Sequence, residues 1–214
     1  MGRILFGFIV GVALLPIVGW TLLSRGRMPV AVTDPPIPYE DVIAGKALHM
    51  RIDKELIQMP PLQPDEKNFV AGARIYAEKC AVCHGYHGKP SALGDAMFPA
   101  APSLWEKHQN SPAVGVSDDP PGETYWKVAN GIRLTGMPEF RSQLSNDAMW
   151  QVSLLLANAD KPLPPEALLL LRGEALPRAA RISTATTRED AKIQAETPGA
   201  ATRAASDRQG GTQR

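Results

Sequence analysis

The chain has 214 residues, 23 of them Lys or Arg and 22 Asp or Glu, for a formal net charge of +1. So even a balance excludes the broad basic footprint of a nucleic-acid binder, and no nucleic-acid partner is expected. Two cysteines cannot staple a fold, so the core must come from side-chain packing or from a bound group.

The first predicted element is ILFGFIVGVALLPIVGWTLL, uncharged from Ile4 to Leu23. As a helix it would cover about 30 Å, the thickness of a hydrocarbon core. Gly7, Gly11, Gly19 and Pro16 suit a membrane span better than a soluble helix. An export signal has a shorter apolar core, about 7–15 residues, and a small-x-small cleavage site after it. SRGRMPVAVTD offers none, so residues 1–27 read as an uncleaved anchor with basic flanks. Arg3 on one side and Arg25 and Arg27 on the other leave orientation close to a tie.

Residues 28–63 read as a Pro-rich spacer and a short helix. Pro29, Pro35, Pro36 and Pro38 make the spacer stiff and extended. Val42, Ala44, Ala47, Leu48, Ile52, Leu56 and Ile57 predict a helix over Glu40–Gln58, stopped at Pro60–Pro61. The folded domain is expected over 64–165. Its first helix starts near Pro64–Asp65, with Asp65 and Glu66 at the positive end, and runs through NFVAGARIYAEKC. Gly72 within it costs about 1 kcal/mol relative to Ala and predicts another helix pressing close. From Gly85 to about Gly122 the chain is loop-rich and holds Pro90, Pro99, Pro102, Pro112, Pro120 and Pro121. A loop of that length in a compact domain is unusual unless it wraps something. ETYWKVANGI predicts a further helix ended by Gly131. The last begins at the N-cap Ser145 and presents Trp150, Leu154 and Ala157 on one stripe, extended by Met149, Val152 and Leu156. The extension 166–214 is expected to be largely disordered, since from Arg178 onward it has almost no bulky apolar groups. No strand of convincing length is visible, so the fold class is all-α.

The chemistry concentrates in EKCAVCHGYHG, Glu78–Gly88. A disulfide between Cys80 and Cys83 would close a small loop, contribute little, and leave His84 unexplained. A thioredoxin-like pair needs a strand–helix–strand setting, whereas the stretch before Cys80 is helical. A tetrahedral zinc site needs four donors. Cys80, Cys83 and His87 with His49 or His108 have no spacing to recommend them. C-x-x-C-H is the attachment signature of c-type haem, with two thiols for the vinyl groups and His84 for the iron.

GARIYAEKCAVCHG, MFPAAPSLW, YWKVANGIRLTGMPEF and LSNDAMWQVSLLLANADKPLP, in that order, resemble a class I cytochrome c domain of the membrane-anchored bacterial monohaem type, over about Asn68 to Asp160. The resemblance implies a helical wrap around one haem c, covalently held through Cys80 and Cys83 and preceded by the N-terminal transmembrane helix. It also implies that the first domain helix crosses the last, with Gly72 and Tyr76 meeting Trp150 or Leu154. Of the seven methionines, Met137 best matches the family's distal ligand. Gly136 lets the backbone approach the macrocycle, and Pro138 stiffens the loop. Iron would then be held by His84 and Met137. Met97 would line the pocket, the Pro102 carbonyl would accept from His84, and Leu104 would pack on the porphyrin. Trp126, Asn130 and Arg133 fall where the family contacts propionates or covers the haem edge. Tyr125 reads as core and His87 as a surface loop residue.

A thioether ligand favours ferrous iron and closes the sixth position. The expectation is therefore a low-spin electron carrier rather than an enzyme. It would be tethered by one span to a bacterial inner membrane, with the haem domain in the periplasm, and would pass single electrons between respiratory or dehydrogenase partners. The alternative is a fixed haem-bearing subunit of a larger membrane oxidoreductase complex, with Glu40–Gln58 and Glu166–Gly173 as docking surfaces. A haem sensor or peroxidase-like enzyme would need an open iron site, against which Met137 argues.

Overall fold

The computed structural model describes residues 2–108 and 111–174. Among these the regular structure is helical, with two isolated β-bridges, Tyr86–Lys89 and Lys107–Val114. Helix α1, Gly2–Ser24, contains Pro16 and has no buried residue. Its mean hydropathy of 2.2 and its length suffice to cross a membrane. Residues 25–39 carry no helix, and Asp34 closes a turn there by accepting from the Val30 and Ala31 N–H groups.

Helix α2, Glu40–Glu55, starts where the sequence predicts and ends three residues short of Gln58, because Leu56 turns to an extended conformation. Its inner face is fixed to α6, Pro121–Asn130. Ile52 is 1% exposed, and Trp126 Nε1 donates to Glu55 Oε2 at 2.9 Å. Just after α2, the Ile57 carbonyl lies against Gly122 where no Cβ would fit. The segment read as spacer thus includes a helix seated on the folded domain.

The core forms where α3, Glu66–Ile75, crosses α7, Asn146–Leu156. Both starts are capped by side chains, at Ser145 as its sequence predicts and at Asp65, which the sequence placed only near the positive end. Asp65 Oδ1 accepts from Asn68 N at 2.9 Å and Ser145 Oγ from Ala148 N at 3.2 Å. Gly72 presses on a helix, but on Gln151 and Leu155 rather than on Trp150 or Leu154. The phase of α7 is set one turn away by Gln151 Nε2, which donates to Asn68 Oδ1 at 3.1 Å. Trp150 turns instead to stack on the buried Tyr125, centroids 4.2 Å apart, while Tyr76 meets Trp105 edge-on at 5.4 Å.

Helix α8, Pro165–Leu171, packs against α3 with Ala167 and Leu171 fully buried. Arg74 pairs with Glu166 at 3.6 Å, and His87 N donates to Leu171 O at 2.8 Å. The boundary drawn after residue 165 therefore falls one residue into a helix that completes the core. The disorder expected from Arg178 onward lies outside the described residues.

Candidate cofactor site

Helix α3 runs into a π-helical turn, Tyr76–Cys80, and then into the short α4, Ala81–His84. The wider turn, closed by Ala81 N donating to Tyr76 O, shifts the register just ahead of the C-x-x-C-H run. Such single π-turns gather at functional sites. Cys80 and Cys83 are both free thiols. Burial, and after it the neighbouring Cys83, pushes the Cys80 thiol up to about 12. Cys80 is therefore a protonated thiol at neutral pH, not a reactive thiolate.

His84 Nδ1 lies 2.8 Å from the Pro102 carbonyl oxygen. A carbonyl only accepts, so Nδ1 carries the proton and Nε2 keeps its lone pair. Burial holds the His84 pKa below its ordinary value, and the Pro102 bond only partly offsets this. The ring is thus neutral at neutral pH, the form that ligates a metal.

Tyr76 braces this turn from beneath. Its hydroxyl donates to Gly85 O at 2.7 Å, and burial pushes the phenol well above its usual range, so it stays a donor. The Trp105 indole N–H, edge-on to the ring, tempers that rise without making a hydrogen bond. Leu104 is buried in the same cluster.

The segment after His84 folds back over the turn. Ser91 Oγ donates to Val82 O at 2.6 Å and caps α5, Ala92–Asp95. Gly94 lies directly against the Cys83 carbonyl, and Ala101 N donates to Gly94 O at 3.1 Å. Met97, half-buried, reaches from this segment to Gly136.

Met137 ends a self-bonded loop. Ile132 N donates to Met137 O at 3.2 Å and Thr135 N to Ile132 O at 3.2 Å. Thr135 Oγ1 donates to Ile132 O at 2.7 Å and accepts from Met137 N at 3.1 Å. Phe140 N, donating to Val128 O at 3.0 Å, ties the exit to α6. Met137 is half-buried against the core, whereas Leu134 at the loop tip is 91% exposed with a left-handed φ of 64°.

Of the three residues expected at the haem edge, Trp126 and Asn130 have their polar groups engaged around the α2–α6 contact, and Arg133 lies in the Met137 loop. Trp126 gives its N–H to Glu55, and Asn130 donates to Trp126 O while accepting from Arg141. Both line a cavity of about 220 Å³ with Glu55, Ile57, Gly122, Tyr125 and Arg141, and neither cysteine, His84 nor Met137 borders it. Arg133 is exposed, as is His87, whose ring tilts over Trp105 at 6.2 Å.

The residues present fit a covalent haem. They offer two free thiols at the attachment spacing, an imidazole whose Nε2 is unencumbered, and a half-buried thioether, Met137, on a hydrogen-bonded loop. Among the described residues no cluster of three or more His, Cys, Asp or Glu side chains offers another metal a site. Sequence reasoning did not single out Tyr76 as a brace, Gly94, Trp105 or Thr135. An aromatic one turn ahead of Cys80, on the face shared with Gly72 and Ala73, was the one available signal.

Residues 67–154 match the family described as cytochrome C oxidase, cbb3-type, subunit III. That stretch, somewhat under half of the chain, holds Cys80, Cys83, His84, Met97, Pro102 and Met137 and ends within α7. No curated protein and no solved structure matches the chain.

Proposed function

We propose, from the class I c-type cytochrome domain that residues 67–154 form, that this chain is a membrane-tethered monohaem electron carrier. One haem c, when bound, supplies a one-electron ferric/ferrous couple. The chain's own residues do the rest. Cys80 and Cys83 would hold the macrocycle through thioether links, and His84 would ligate the iron through Nε2. Pro102 O, accepting from Nδ1, sets the ring's orientation and basicity. Met137 closes the sixth position with sulfur, which raises the potential relative to two imidazoles and keeps small molecules off the iron. Leu104 adds apolar cover.

The single observation that carries this reading is the neutral His84 with Nδ1 engaged and Nε2 free, set directly behind two unpaired thiols. Helix α1 would anchor the domain on the periplasmic face of the inner membrane, where haem attachment takes place. Residues 25–39 would then be the spacer between membrane and domain, since α2 sits on the domain. The test is a pyridine haemochrome assay and a ferric spectrum on protein matured in a host that attaches haem. One haem per chain and a near-infrared Met-to-ferric-haem band are expected; a colourless product overturns the proposal.

A second reading is favoured by the name of the matched family, a subunit of an oxidase. In it the domain is a fixed electron-entry subunit. The outward face of α2, with Ile43 and Met50 exposed, and α8 would then meet neighbouring subunits. Detergent extraction followed by sizing separates the two. A lone monomer supports the shuttle, and stably co-purifying subunits support the fixed component.

A further inference from the structure

The two halves of the cofactor site belong to different segments, and one side chain spans them. On the cysteine side, Gly94 rests against the Cys83 carbonyl so closely that no Cβ would fit. Around that contact, Ser91 Oγ holds Val82 O at 2.6 Å, and both Met97 N and Ala101 N donate to Gly94 O, at 3.2 and 3.1 Å. Pro102, next in line, accepts from His84. Residues 91–102 are thus fastened to the C-x-x-C-H turn at several points. On the other side, a Cβ placed on Gly136 would stand 2.7 Å from Met97 Sδ and 3.3 Å from Met97 Cε. The sulfur occupies the space that any side chain at 136 would need, one residue ahead of Met137. The loop's hydrogen bonds within 132–137 fix its shape, and Gly131 N donating to Lys127 O and Phe140 N to Val128 O tie its two ends to α6; neither set reaches the Cys83 side.

We infer that Met97 is a positioning residue, whose thioether fills the gap between the Cys83–Gly94 contact and Gly136 and keeps the Met137 loop from swinging out of its ligating position. The inference rests on the proposed ligation by His84 and Met137. A soft, unbranched thioether suits the place because it fills an irregular gap without forcing the loop. Gly136 is required by this contact.

The test uses the full-length, haem-loaded chain and four variants: Met97→Leu, Met97→Ala, Gly136→Ala and the Met97→Ala/Gly136→Ala double. Two quantities are read at equal haem content. One is the intensity of the near-infrared Met-to-ferric-haem band, and the other is the affinity of the ferric protein for imidazole, which must displace Met137. Met97→Ala is expected to weaken the band and tighten imidazole binding about tenfold, and Met97→Leu to stay within about twofold of the parent. Gly136→Ala, which pushes the sulfur away from its seat, should reproduce the Met97→Ala effect. The double variant should be no worse than either single, as for two residues serving one contact. A general loss of packing would lower the unfolding midpoint in every variant without this pattern.

Unchanged imidazole affinity in both single variants overturns the inference, as does an additive double variant. Failure of the underlying ligation is separately visible, because Met137→Ala would then leave the band intact. Should Met97→Ala not accumulate, Met97→Val takes its place, with a weaker band and tighter imidazole binding expected and parental values of both overturning the inference.

Discussion

The two faces of the cofactor site are held by different means. On the histidine side, Tyr76 is fully buried, Trp105 nearly so, and the His84 ring and the Gly85 carbonyl are bonded to groups outside the C-x-x-C-H run. On the methionine side, the loop is bonded mostly to itself, its tip is solvent-exposed, and its cross-contact to the cysteine side is a flexible thioether against a glycine. Local opening follows the least buried and least cross-linked elements. On the proposed ligation, the difference predicts that the Met137 side opens more readily than the His84 side. In the proposed carrier the thioether links at Cys80 and Cys83 would retain the haem, and the thioether of Met137 would raise its potential.

The largest effect expected from breaking this asymmetry comes from removing each ligand in turn. Met137→Ala should keep one haem per chain by pyridine haemochrome and lose the near-infrared band completely. His84→Ala should lose low-spin character and also yield little haem-loaded protein, because attachment and folding both use that face. If both variants accumulate haem equally, the histidine side is no more essential than the methionine loop and the comparison fails.

A smaller effect separates the braces. Tyr76→Phe leaves the buried Gly85 carbonyl without its donor, at a cost of about 1–3 kcal/mol in global unfolding by denaturant. Thr135→Ala removes two hydrogen bonds from a half-buried loop, and about 0.5–1.5 kcal/mol is expected. That loss should appear as faster hydrogen exchange at the Met137 amide and a weaker near-infrared band, with the unfolding midpoint moved little. Equal shifts of the midpoint in both variants would show that the loop opens only when the whole domain does.

How much of this was legible in the sequence follows from the range of each interaction. The C-x-x-C-H run, the cap at Ser145 and the helix beginning at Glu40 are local patterns, and each stands where its residues predict. Gly72 correctly announced a close helix, but its partners are Gln151 and Leu155. The phase of a helix crossing depends on a pair such as Asn68–Gln151, 83 residues apart, which no periodicity contains. EALLLLRG reads as a greasy tail in isolation, and α8 becomes core because α3 presents a complementary face. Trp126 was assigned to the haem edge by its place in a motif. Its N–H is taken by Glu55, a residue 71 positions earlier and outside the matched stretch. The seat of Met97 on Gly136 was not legible, since nothing in MFPAAPS states which loop it will meet.

The smallest expected effect tests whether the α2 contact is independent of both faces. The Trp126 indole N–H, chiefly, holds the Glu55 carboxyl below its ordinary value of 4.5. Unfolded or undocked chain then binds the proton more readily than the docked form. The carboxylate's contribution to docking is thus complete above that value and is lost as pH falls through and below it. Because Glu55 is solvent-exposed, the loss is small and screened by salt. Hydrogen exchange over Glu40–Glu55 should show α2 protection declining on acidification at low ionic strength, with less decline in 1 M salt and none attributable to this pair in Trp126→Phe. The near-infrared band should be the same in Trp126→Phe as in the parent, because Trp126 borders the α2–α6 cavity and not the cysteine–histidine turn or the Met137 loop. A band that weakens with Trp126→Phe would join α2 to the cofactor site, and the separation of the histidine and methionine faces from the rest of the molecule would have to be given up.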